Sequence, residues 1–399
     1  MNWIVTELFY PDEVSTALIM TEIAEEIAKS GDTSVICGPV GYEKSYKTQH
    51  GYLNNKIKIN RVSIATLNKN KLLSRVLRLL LLSIKMSYKV LISVKKDDHV
   101  IIVTNPAFLI LAVSLIKKFK KFKLSILVHD VFPENLVPGN ILSDKSWKYR
   151  MLKSVYNSAY RNADNLIVLG NDMKELMIRK LQVRVPKITV ITNWADEDIF
   201  PLVNFNKSEY LGIDVSGKVV ICFAGNLGRL QGLPEFLTAF KKADNENIIL
   251  VLIGDGALKN EIEIFIEKEK LKNVILLGAK SRAEQNLFLN ACDIGLITLK
   301  NGMKGLGVPS KTYNIMASGK ALLYIGDKNS EVDEYINKYA CGWSFCNNEQ
   351  RELIIFLRSL KLDMKRVLTI KGENAHKAAS DFFLKKSVLY KFRNIEPIF

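Results

Sequence analysis

The sequence predicts an α/β protein made of two doubly wound, parallel-sheet domains that face each other across a cleft. Short runs of β-branched residues alternate with helical patterns along the whole chain, which is typical of parallel sheets. The strands are continuous apolar runs, as expected where helices cover both faces of a sheet. The 399 residues are also too many for one ordinary hydrophobic core and suit two.

The predicted elements fall into two series. First-half strands are predicted at Trp3–Thr6, Thr33–Cys37, Ile57–Val62, Val100–Val103, Leu124–Val128, Leu166–Leu169 and Ile188–Ile191. Second-half strands are predicted at Val219–Ala224, Ile248–Ile253, Val274–Leu277, Ile294–Ile297 and Ala321–Ile325. Helices are predicted between them at Ala17–Lys29, Trp147–Asn162, Leu258–Glu269, Arg282–Asn290 and Lys311–Ala317.

A polar, weakly patterned stretch after Trp194 separates the two series. We therefore expect a first domain over residues 1–200 and a second over 215–379. Apolar periodicity from Ala379 to Arg393 predicts one further helix. This tail, residues 380–399, is expected to pack back on the first domain.

The composition is that of a folded, basic protein. Hydrophobic residues make up 48% and charged residues 25% of the chain, which excludes a disordered protein. The formal net charge of +16 permits nucleic acid or anionic lipid as a partner. We find no helix-turn-helix, ribonucleoprotein or zinc pattern and expect no nucleic acid. The five cysteines lack metal-ligand spacing and the start lacks signal-peptide regions, so we expect reduced thiols in the cytoplasm.

Three glycine-rich turns in the second half are candidates for a phosphate-binding site. In the first, Gly225, Gly228 and Gly232 surround Arg229 between a strand and a helix. Such a turn lets the backbone approach an anion, and an arginine there can donate two hydrogen bonds to it. A tight structural turn with a solvated arginine explains this segment about equally well. The second turn, Gly254–Gly256, is by itself a weak signal.

The third turn runs from Gly305 to Gly319 and places Lys311 in the first turn of a predicted helix. Pro309 and Ser310 are typical of a helix start, and Gly319 is typical of a helix end. A cation in the first turn opposes the helix dipole, a conflict that a bound diphosphate would resolve. The alternative is a solvated lysine on a frayed turn. The functional interpretation is favoured because three phosphate-suited turns occur in one half.

These turns, together with three motifs of the first half, resemble the family-four glycosyltransferases, which are retaining enzymes of the GT-B fold with two Rossmann-like domains. The branch that the chain resembles most acts in bacterial O-antigen, capsule and colanic-acid assembly. The resemblance runs nearly end to end, and the order of the motifs is more specific than any single one. The matching segments are Gly225–Leu233, Gly254–Gly256, Val308–Lys311, Met316–Lys320, Phe9–Glu13, Asp130–Glu134 and Ile191–Asp196.

The resemblance implies roles for the matching residues of the second half. Arg229, Ser310 and Lys311 would hold the diphosphate, and Gly278 to Lys280 would border the base. Leu306 and Asn314 stand where the family has two glutamates, of which the second binds the ribose. Asn226 and Gln231 occupy positions where many relatives carry Arg and Lys. The predicted nucleotide-sugar site is therefore Gly225, Asn226, Arg229, Gln231, Gly254, Asp255, Gly278, Lys280, Ser310, Lys311 and Asn314.

In the first half, His129 and Asp130 follow a strand, at the edge of the sheet where loops carry function. The resemblance implies that His129 contacts the donor sugar near the reacting carbon; a histidine bonded to backbone is the alternative. The predicted catalytic residues are His129, Asp130, Arg229 and Lys311. The predicted acceptor-side residues are Asp12, Glu13, Ser15, Thr16 and Glu134, with Ser15 and Thr16 as helix caps. A plain helix start explains the Asp12 segment nearly as well.

The activity implied by the resemblance is transfer of a hexosyl-type sugar, with retention, from a UDP-linked donor to a glycan on a polyprenyl diphosphate lipid. An N-acetylated or deoxy sugar is one candidate. The leaving phosphate would accept the acceptor proton, so no protein nucleophile is needed. No Asp-x-Asp motif is visible, so we expect no metal cofactor, with Lys311 and Arg229 supplying the charge. The alternatives are a nucleotide-sugar epimerase of the same fold, a nucleic-acid-binding protein and a non-catalytic sugar-binding module.

Clustered cations in the first half predict contact with an anionic membrane surface. Residues 75–96 form an amphipathic basic helix, and the uncharged Pro106–Ile116 is too short to span a bilayer. A lysine-rich run with interleaved phenylalanines follows. We expect a peripheral protein on the inner face of the cytoplasmic membrane; helices that only cover the sheet are the alternative. The predicted contacts are Arg75, Arg78, Lys85, Lys89, Lys117, Lys118, Lys120 and Lys121.

Overall fold

A computed structural model describes residues 1–40, 53–64 and 72–395, without the side chains of Leu72, Leu73 and Arg75. The chain forms two compact units. The first contains the described residues of Met1–Thr192, Gly305–Gly307 and Val388–Phe399, and the second contains Asn193–Lys304 and Val308–Ser387. Each unit holds one parallel β-sheet, which confirms the predicted α/β class.

The first unit has a seven-stranded parallel sheet in the order β3-β2-β1-β4-β5-β6-β7. Its strands are β1 (Asn2–Thr6), β2 (Thr33–Cys37), β3 (Ile57–Arg61), β4 (His99–Val103), β5 (Lys123–Val128), β6 (Asn165–Val168) and β7 (Lys187–Val190). Ile4 of β1 lies opposite Val35 of β2 and Ile101 of β4, and all three are buried, as expected for a central strand. The strand order reverses between β1 and β4, where doubly wound sheets bind ligands outside the carboxyl ends of their strands.

Helices cover this sheet because their buried faces carry aliphatic residues at helical spacing, such as Leu82, Met86 and Val90. They are α1 (Ser15–Ala28), α2 (Leu72–Ser93), α3 (Leu109–Lys120), α4 (Trp147–Arg161) and α5 (Asn171–Leu181). Helices α2, α3 and α4 pack side by side in that order.

The second unit has a six-stranded parallel sheet in the order β10-β9-β8-β11-β12-β13, which reverses between β8 and β11. Its strands are β8 (Val219–Ala224), β9 (Ile248–Ile253), β10 (Val274–Gly278), β11 (Ile294–Thr298), β12 (Ala321–Ile325) and β13 (Gly342–Phe345). Its helices are α6 (Lys207–Leu211), α7 (Leu233–Ala243), α8 (Lys259–Lys268), α9 (Gln285–Asn290), α10 (Lys311–Ala317), α11 (Glu331–Tyr339), α12 (Gln350–Ser359) and α13 (Lys365–Phe382). Each predicted strand is present, whereas β13, which begins with glycine and is only partly buried, was not predicted.

The prediction of one helix from Ala379 to Arg393 is wrong. Helix α13 ends at Phe382, and α14 begins at Lys385 and ends at Arg393. Between them the Phe383 carbonyl accepts the Ala195 N–H at 2.8 Å, and the Phe383 ring packs on Tyr313 with centroids 5.1 Å apart. The chain therefore leaves helical geometry where one aromatic side chain is anchored.

Candidate active site

Backbone hydrogen bonds link the tight turns at the carboxyl ends of β8, β9 and β10. The Gly225 N–H donates to the Ile253 carbonyl at 2.8 Å, and the Gly254 N–H donates to the Gly278 carbonyl at 2.8 Å. Gly254 has a φ of +143°, and a Cβ there would lie 1.9 Å from the Gly225 carbonyl oxygen. Only glycine fits this crossing. The close backbone crossing thus explains the first glycine of the Gly-Asp-Gly segment, which was a weak signal in the sequence.

The same turns interlock further along the chain. The Leu227 N–H donates to the Asp255 carbonyl at 2.8 Å. A Cβ on Gly256 would lie 2.6 Å from the Leu227 carbonyl oxygen, so the two backbones touch. Asn226 and the Asp255 side chain are exposed beside this contact. The first two predicted turns therefore form one connected backbone surface.

Lys311, the first residue of α10, points beneath the first of these turns. Its Nζ lies 3.5 Å from the centroid of the Phe223 ring and 3.2 Å from the position of a Cβ on Gly225. Although the residue as a whole is only partly buried, the Nζ is inaccessible to solvent and has no hydrogen-bond partner among the described residues. Burial lowers the pKa of Lys311 to about 7, with a smaller opposing effect from Cys222. Such an ammonium is suited to an anionic ligand.

Three other predicted residues of the nucleotide-sugar site lie on the first turn or at the start of α10. Arg229 is exposed, Gln231 is partly buried, and Ser310 immediately precedes α10. An exposed guanidinium can form a two-pronged hydrogen bond with a phosphate without breaking an existing contact.

The predicted base-side residues follow β10. Gly278 has a φ of +66°, and a Cβ there would meet open space. Lys280 forms an ion pair with Glu284 at 3.2 Å, and Glu284 also completes a capping box with Ser281. Lys280 is therefore held beside a helix start rather than extended freely.

In the first unit, His129 and Asp130 follow β5 and are positioned by a residue that the sequence did not suggest. The backbone N–H groups of both donate to the Thr104 Oγ1 at 3.1 Å. The Thr104 side chain is fully buried after β4. These bonds join residues 25 and 26 positions apart, and no local pattern in the sequence could indicate them.

Burial controls the protonation of this pair. It lowers the pKa of His129 to about 4 and raises the pKa of Asp130 to about 6. At neutral pH the imidazole is therefore uncharged. The His129 Nε2 has no hydrogen-bond partner among the described residues. A neutral, unpartnered imidazole can serve a ligand as either donor or acceptor.

The Gly305–Gly307 segment belongs to the first unit and lies against His129 and Asp130. The Val131 N–H donates to the Leu306 carbonyl at 3.1 Å, and a Cβ on Gly307 would lie 3.0 Å from the His129 carbonyl oxygen. The Gly305 N–H donates to the Asp172 Oδ2 at 3.1 Å. Asp172, in the first turn of α5, is a second positioning residue that the sequence did not indicate.

Both halves of the chain match family models. Residues 17–199 match the model of Glycosyltransferase Family 4, and residues 212–377 match that of Glycosyl transferases group 1. The protein named probable glycosyltransferase WbjE, from Pseudomonas aeruginosa, is 39% identical over 71% of this chain and 70% of its own length. The chain belongs to the family 4 glycosyltransferases.

More distant relatives point the same way. A protein from Escherichia coli K12 named as a colanic acid biosynthesis glycosyl transferase, WcaI, is 23% identical over 75% of this chain and 74% of its own length. The Escherichia coli UDP-Gal:alpha-D-GlcNAc-diphosphoundecaprenol alpha-1,3-galactosyltransferase is 27% identical over 48% of this chain and 56% of its own length. The structure of Anabaena HepE with UDP and glucose has a TM-score of 0.71 at 18% identity and covers 98% of this chain and 97% of its own. The fold of this glycosyltransferase is GT-B.

Asn314 of the glycosyltransferase, a predicted nucleotide contact, is bonded to Asp196. Its Oδ1 accepts the Asp196 N–H at 2.9 Å, and its Nδ2 donates to the Asp196 Oδ2 at 2.7 Å. Arg282 forms an ion pair with the other carboxylate oxygen of Asp196 at 2.5 Å. Asn314 is buried and both its polar atoms are engaged, so packing is an alternative to the ribose contact, which stays a prediction.

On the predicted acceptor side, Glu134 is also engaged. Both its carboxylate oxygens accept hydrogen bonds from the Lys180 Nζ, at 2.5 and 2.6 Å, and Lys153 lies 3.8 Å away. Burial lowers the pKa of Lys180 to about 8, although Glu134 opposes the shift. A carboxylate with a buried counter-ion is costly to release. An acceptor contact by Glu134 stays a prediction, and it would require this ion pair to open or to be shared.

Helix α1 begins at Ser15, but neither predicted cap occupies the cap position. The N-cap is Val14, in extended conformation, whose side chain cannot accept a hydrogen bond. Asp12 is buried, Glu13 and Thr16 are partly buried, and Ser15 is exposed. The capping prediction for Ser15 and Thr16 is wrong, and an acceptor contact by this segment stays a prediction.

Two of the predicted membrane contacts point inward. Arg78 is buried and donates to Glu7 at 2.8 Å. The Lys117 Nζ donates to the Asp164 carboxylate at 2.9 Å and to a backbone carbonyl at 2.6 Å. We correct both predictions, because each cation already neutralises an acid of the first unit. Lys85, Lys89, Lys118 and Lys121 are exposed, Lys120 is partly exposed, and the Arg75 side chain lies outside the described residues.

Two features are absent from the described part of the glycosyltransferase. No helix there is long and apolar enough to cross a bilayer. No group of three or more His, Cys, Asp or Glu side chains there could hold a metal ion.

Proposed function

We propose that this glycosyltransferase transfers a sugar, with retention, from a UDP-sugar to a glycan carried on a polyprenyl diphosphate lipid, in the synthesis of a bacterial surface polysaccharide. The observation that carries the donor assignment is the buried ammonium of Lys311, which has no hydrogen-bond partner among the described residues. Burying such a group costs free energy unless a ligand compensates it. The backbone turn at Gly225, directly beside it, is suited to a diphosphate.

The proposed reaction is a front-face displacement at the anomeric carbon. As the bond to the diphosphate breaks, Lys311 and the exposed Arg229 neutralise the charge that develops on the leaving phosphate. The leaving phosphate oxygen accepts the proton of the attacking hydroxyl, so the protein needs no nucleophile. The neutral imidazole of His129 is proposed to hydrogen-bond the transferred sugar.

The acceptor proposal rests on relationship and on surface chemistry. One relative is named for a GlcNAc–diphosphoundecaprenol acceptor, and another for colanic acid biosynthesis. A lipid-linked acceptor requires a protein that works at a membrane surface, which we propose is the inner face of the cytoplasmic membrane. The exposed lysines of α2 and α3 suit an anionic surface of this kind.

Donor binding is tested by thermal shift with a panel of nucleotides and nucleotide-sugars. A UDP-sugar at 100 times its Kd should stabilise the fold by about 2.7 kcal/mol. Arg229→Gln should weaken that binding about 10- to 150-fold, the equivalent of one charge-assisted hydrogen bond. Arg366→Gln, at another exposed arginine, is the matched control and should have no effect. No shift with any nucleotide-sugar would refute the donor assignment.

The reaction is tested with the stabilising donor and a polyprenyl diphosphate-linked sugar acceptor. The anomeric configuration of the product, measured by NMR, should equal that of the donor; inversion would refute the front-face displacement. Full activity in excess chelator is expected, and strict dependence on a divalent cation would contradict the roles given to Lys311 and Arg229. Conversion of the donor to its epimer without transfer would identify an epimerase instead.

A further inference from the structure

Helices α2, α3 and α4 form one layer on the first unit, and their outward sides carry large apolar residues in regular rows. On α2 the row consists of Leu77, Leu81, Ile84, Tyr88 and Ile92, all exposed and spaced three or four residues apart. Ile84 and Tyr88 are each 61% exposed. The opposite side of α2 is already anchored in the core, so this row is not needed to hold the helix in place.

The two neighbouring helices continue this surface. On α3 the exposed residues are Leu115 and Phe119, one helical turn apart, and Phe119 is 77% exposed. On α4 they are Trp147, Met151 and Val155, again one turn apart, with Trp147 67% exposed. We call the exposed rows of the three helices the outer apolar face. Large exposed apolar patches mark binding surfaces in soluble proteins.

The charge of the same layer indicates what covers this face. None of the three helices contains an Asp or Glu, while each contains Lys or Arg. Arg78 and Lys117 are neutralised by acids inside the unit, but Lys85, Lys89 and Lys118 are exposed among the apolar rows. Two copies of this face would bring like charges together, which opposes a symmetric dimer. An anionic partner is complementary to it.

The residue types also match a bilayer interface. Exposed Trp147 and Tyr88 each have an apolar ring with one polar group, the combination enriched where lipid tails meet headgroups. Lysines between the apolar rows can place their stems along the lipid tails and their ammonium groups among the headgroups. Because no described helix can cross a bilayer, the layer would lie in the plane of the membrane surface.

We propose that the outer apolar face inserts into the headgroup region of an anionic bilayer, so that apolar side chains, and not only the lysines, hold the protein on the membrane. This inference rests on the proposed function, since it places the enzyme on the surface that carries a lipid-linked acceptor. It also adds exposed apolar side chains to the predicted list of contacts, which named only cations.

The test is flotation of the full chain with vesicles of phosphatidylethanolamine and phosphatidylglycerol. Binding is expected, with part of it retained in high salt, because salt screens the lysines but not apolar contacts. The variant Ile84→Ser/Tyr88→Ser should bind at least about tenfold more weakly. The matched control is Ile264→Ser/Ile355→Ser, which replaces equally exposed residues on helices of the second unit and should bind like the wild type. Trp147 emission should shift to the blue on binding.

Several outcomes would overturn the inference. Binding that salt abolishes completely, or that Ile84→Ser/Tyr88→Ser leaves unchanged, would mean that the lysines alone attach the protein. If the wild type sediments as an oligomer, and the same variant dissociates it without changing vesicle binding, the outer apolar face is an interface between copies.

Thermal shift with the donor separates these failures from failure of the proposed function. The double variant should keep wild-type donor stabilisation and lose transfer only to a vesicle-embedded acceptor. If the wild type does not bind vesicles but the donor still stabilises it, only the membrane inference is overturned. Vesicle binding by a chain that no nucleotide-sugar stabilises would support the membrane inference and refute the proposed function.

Discussion

Replacing Lys311 with methionine should make the protein more stable while abolishing donor binding. Methionine keeps most of the unbranched stem against Phe223 and removes the ammonium. That ammonium is buried and has no hydrogen-bond partner among the described residues, so in the free protein it is a cost rather than a stabilising contact. A gain in stability together with a loss of donor binding would show that Lys311 serves binding at the expense of stability.

The expected gain follows from the pKa. Burial lowers the pKa of Lys311 from 10.5 to about 7, which corresponds to roughly 4–5 kcal/mol at 1.36 kcal/mol per unit. Relaxation and water penetration reduce the penalty for a buried charge, so we expect Lys311→Met to raise the free energy of unfolding by about 2–4 kcal/mol at pH 7.

The stability gained by Lys311→Met should be largest at low pH and should fall as the pH rises. Between about pH 7 and pH 10.5 the unfolded chain holds the Lys311 proton and the folded chain does not, so wild-type stability from this group rises with pH. Below about pH 7 both states are protonated and the penalty is at its full value. The advantage of Lys311→Met should therefore be largest at or below pH 7 and shrink as the pH approaches 10.5.

Urea denaturation from pH 6 to pH 9.5 measures the free energy of unfolding, and thermal shift with a UDP-sugar measures donor binding. Lys365→Met is the matched control, because Lys365 is also the first residue of a helix, α13, but is exposed; it should change neither quantity. A Lys311→Met protein that is less stable than the wild type at pH 7, or that still binds the donor normally, would refute the reasoning.

Three further predictions concern the backbone and side chains around the site. Gly254→Ala should destabilise the protein by about 2–6 kcal/mol and impair donor binding, because its Cβ would collide with the Gly225 carbonyl. Gly278 also has a positive φ but faces open space, so Gly278→Ala should cost only about 1–2 kcal/mol. Equal losses of stability in urea denaturation would argue against the collision. Thr104→Val removes the acceptor of two partly buried N–H groups, so it should cost about 2–4 kcal/mol and lower kcat, while Thr104→Ser should restore both. A valine variant with wild-type kcat would show that the hydroxyl does not position the loop. Asn314→Leu should cost about 2–3 kcal/mol of stability, because it breaks two buried hydrogen bonds. If Asn314 contacts the ribose, UDP affinity measured by calorimetry should fall more than about tenfold, and a smaller loss would refute that contact.

The sequence by itself determined the two-sheet architecture and the location of the glycine-rich turns that we propose bind the donor. Continuous apolar strands can be buried only between helices, so their alternation with helical patterns was enough for the α/β class. The glycines of the three turns and Lys311 at a helix start are local features, because φ requirements and helix position depend on neighbours in the chain. Their proximity in the structure followed from the order of the strands.

Only the tertiary structure decided which polar side chains are available to ligands. Glu134, Arg78 and Asn314 were each predicted to contact a ligand or the membrane, but each is engaged by a partner 46, 71 or 118 residues away. The same is true of Thr104, whose hydroxyl holds the loop that carries His129. Pairing of this kind depends on which elements pack together, and local propensity carries no information about it. The exposed rows of α2, α3 and α4 likewise became visible only once the packed side of each helix was known.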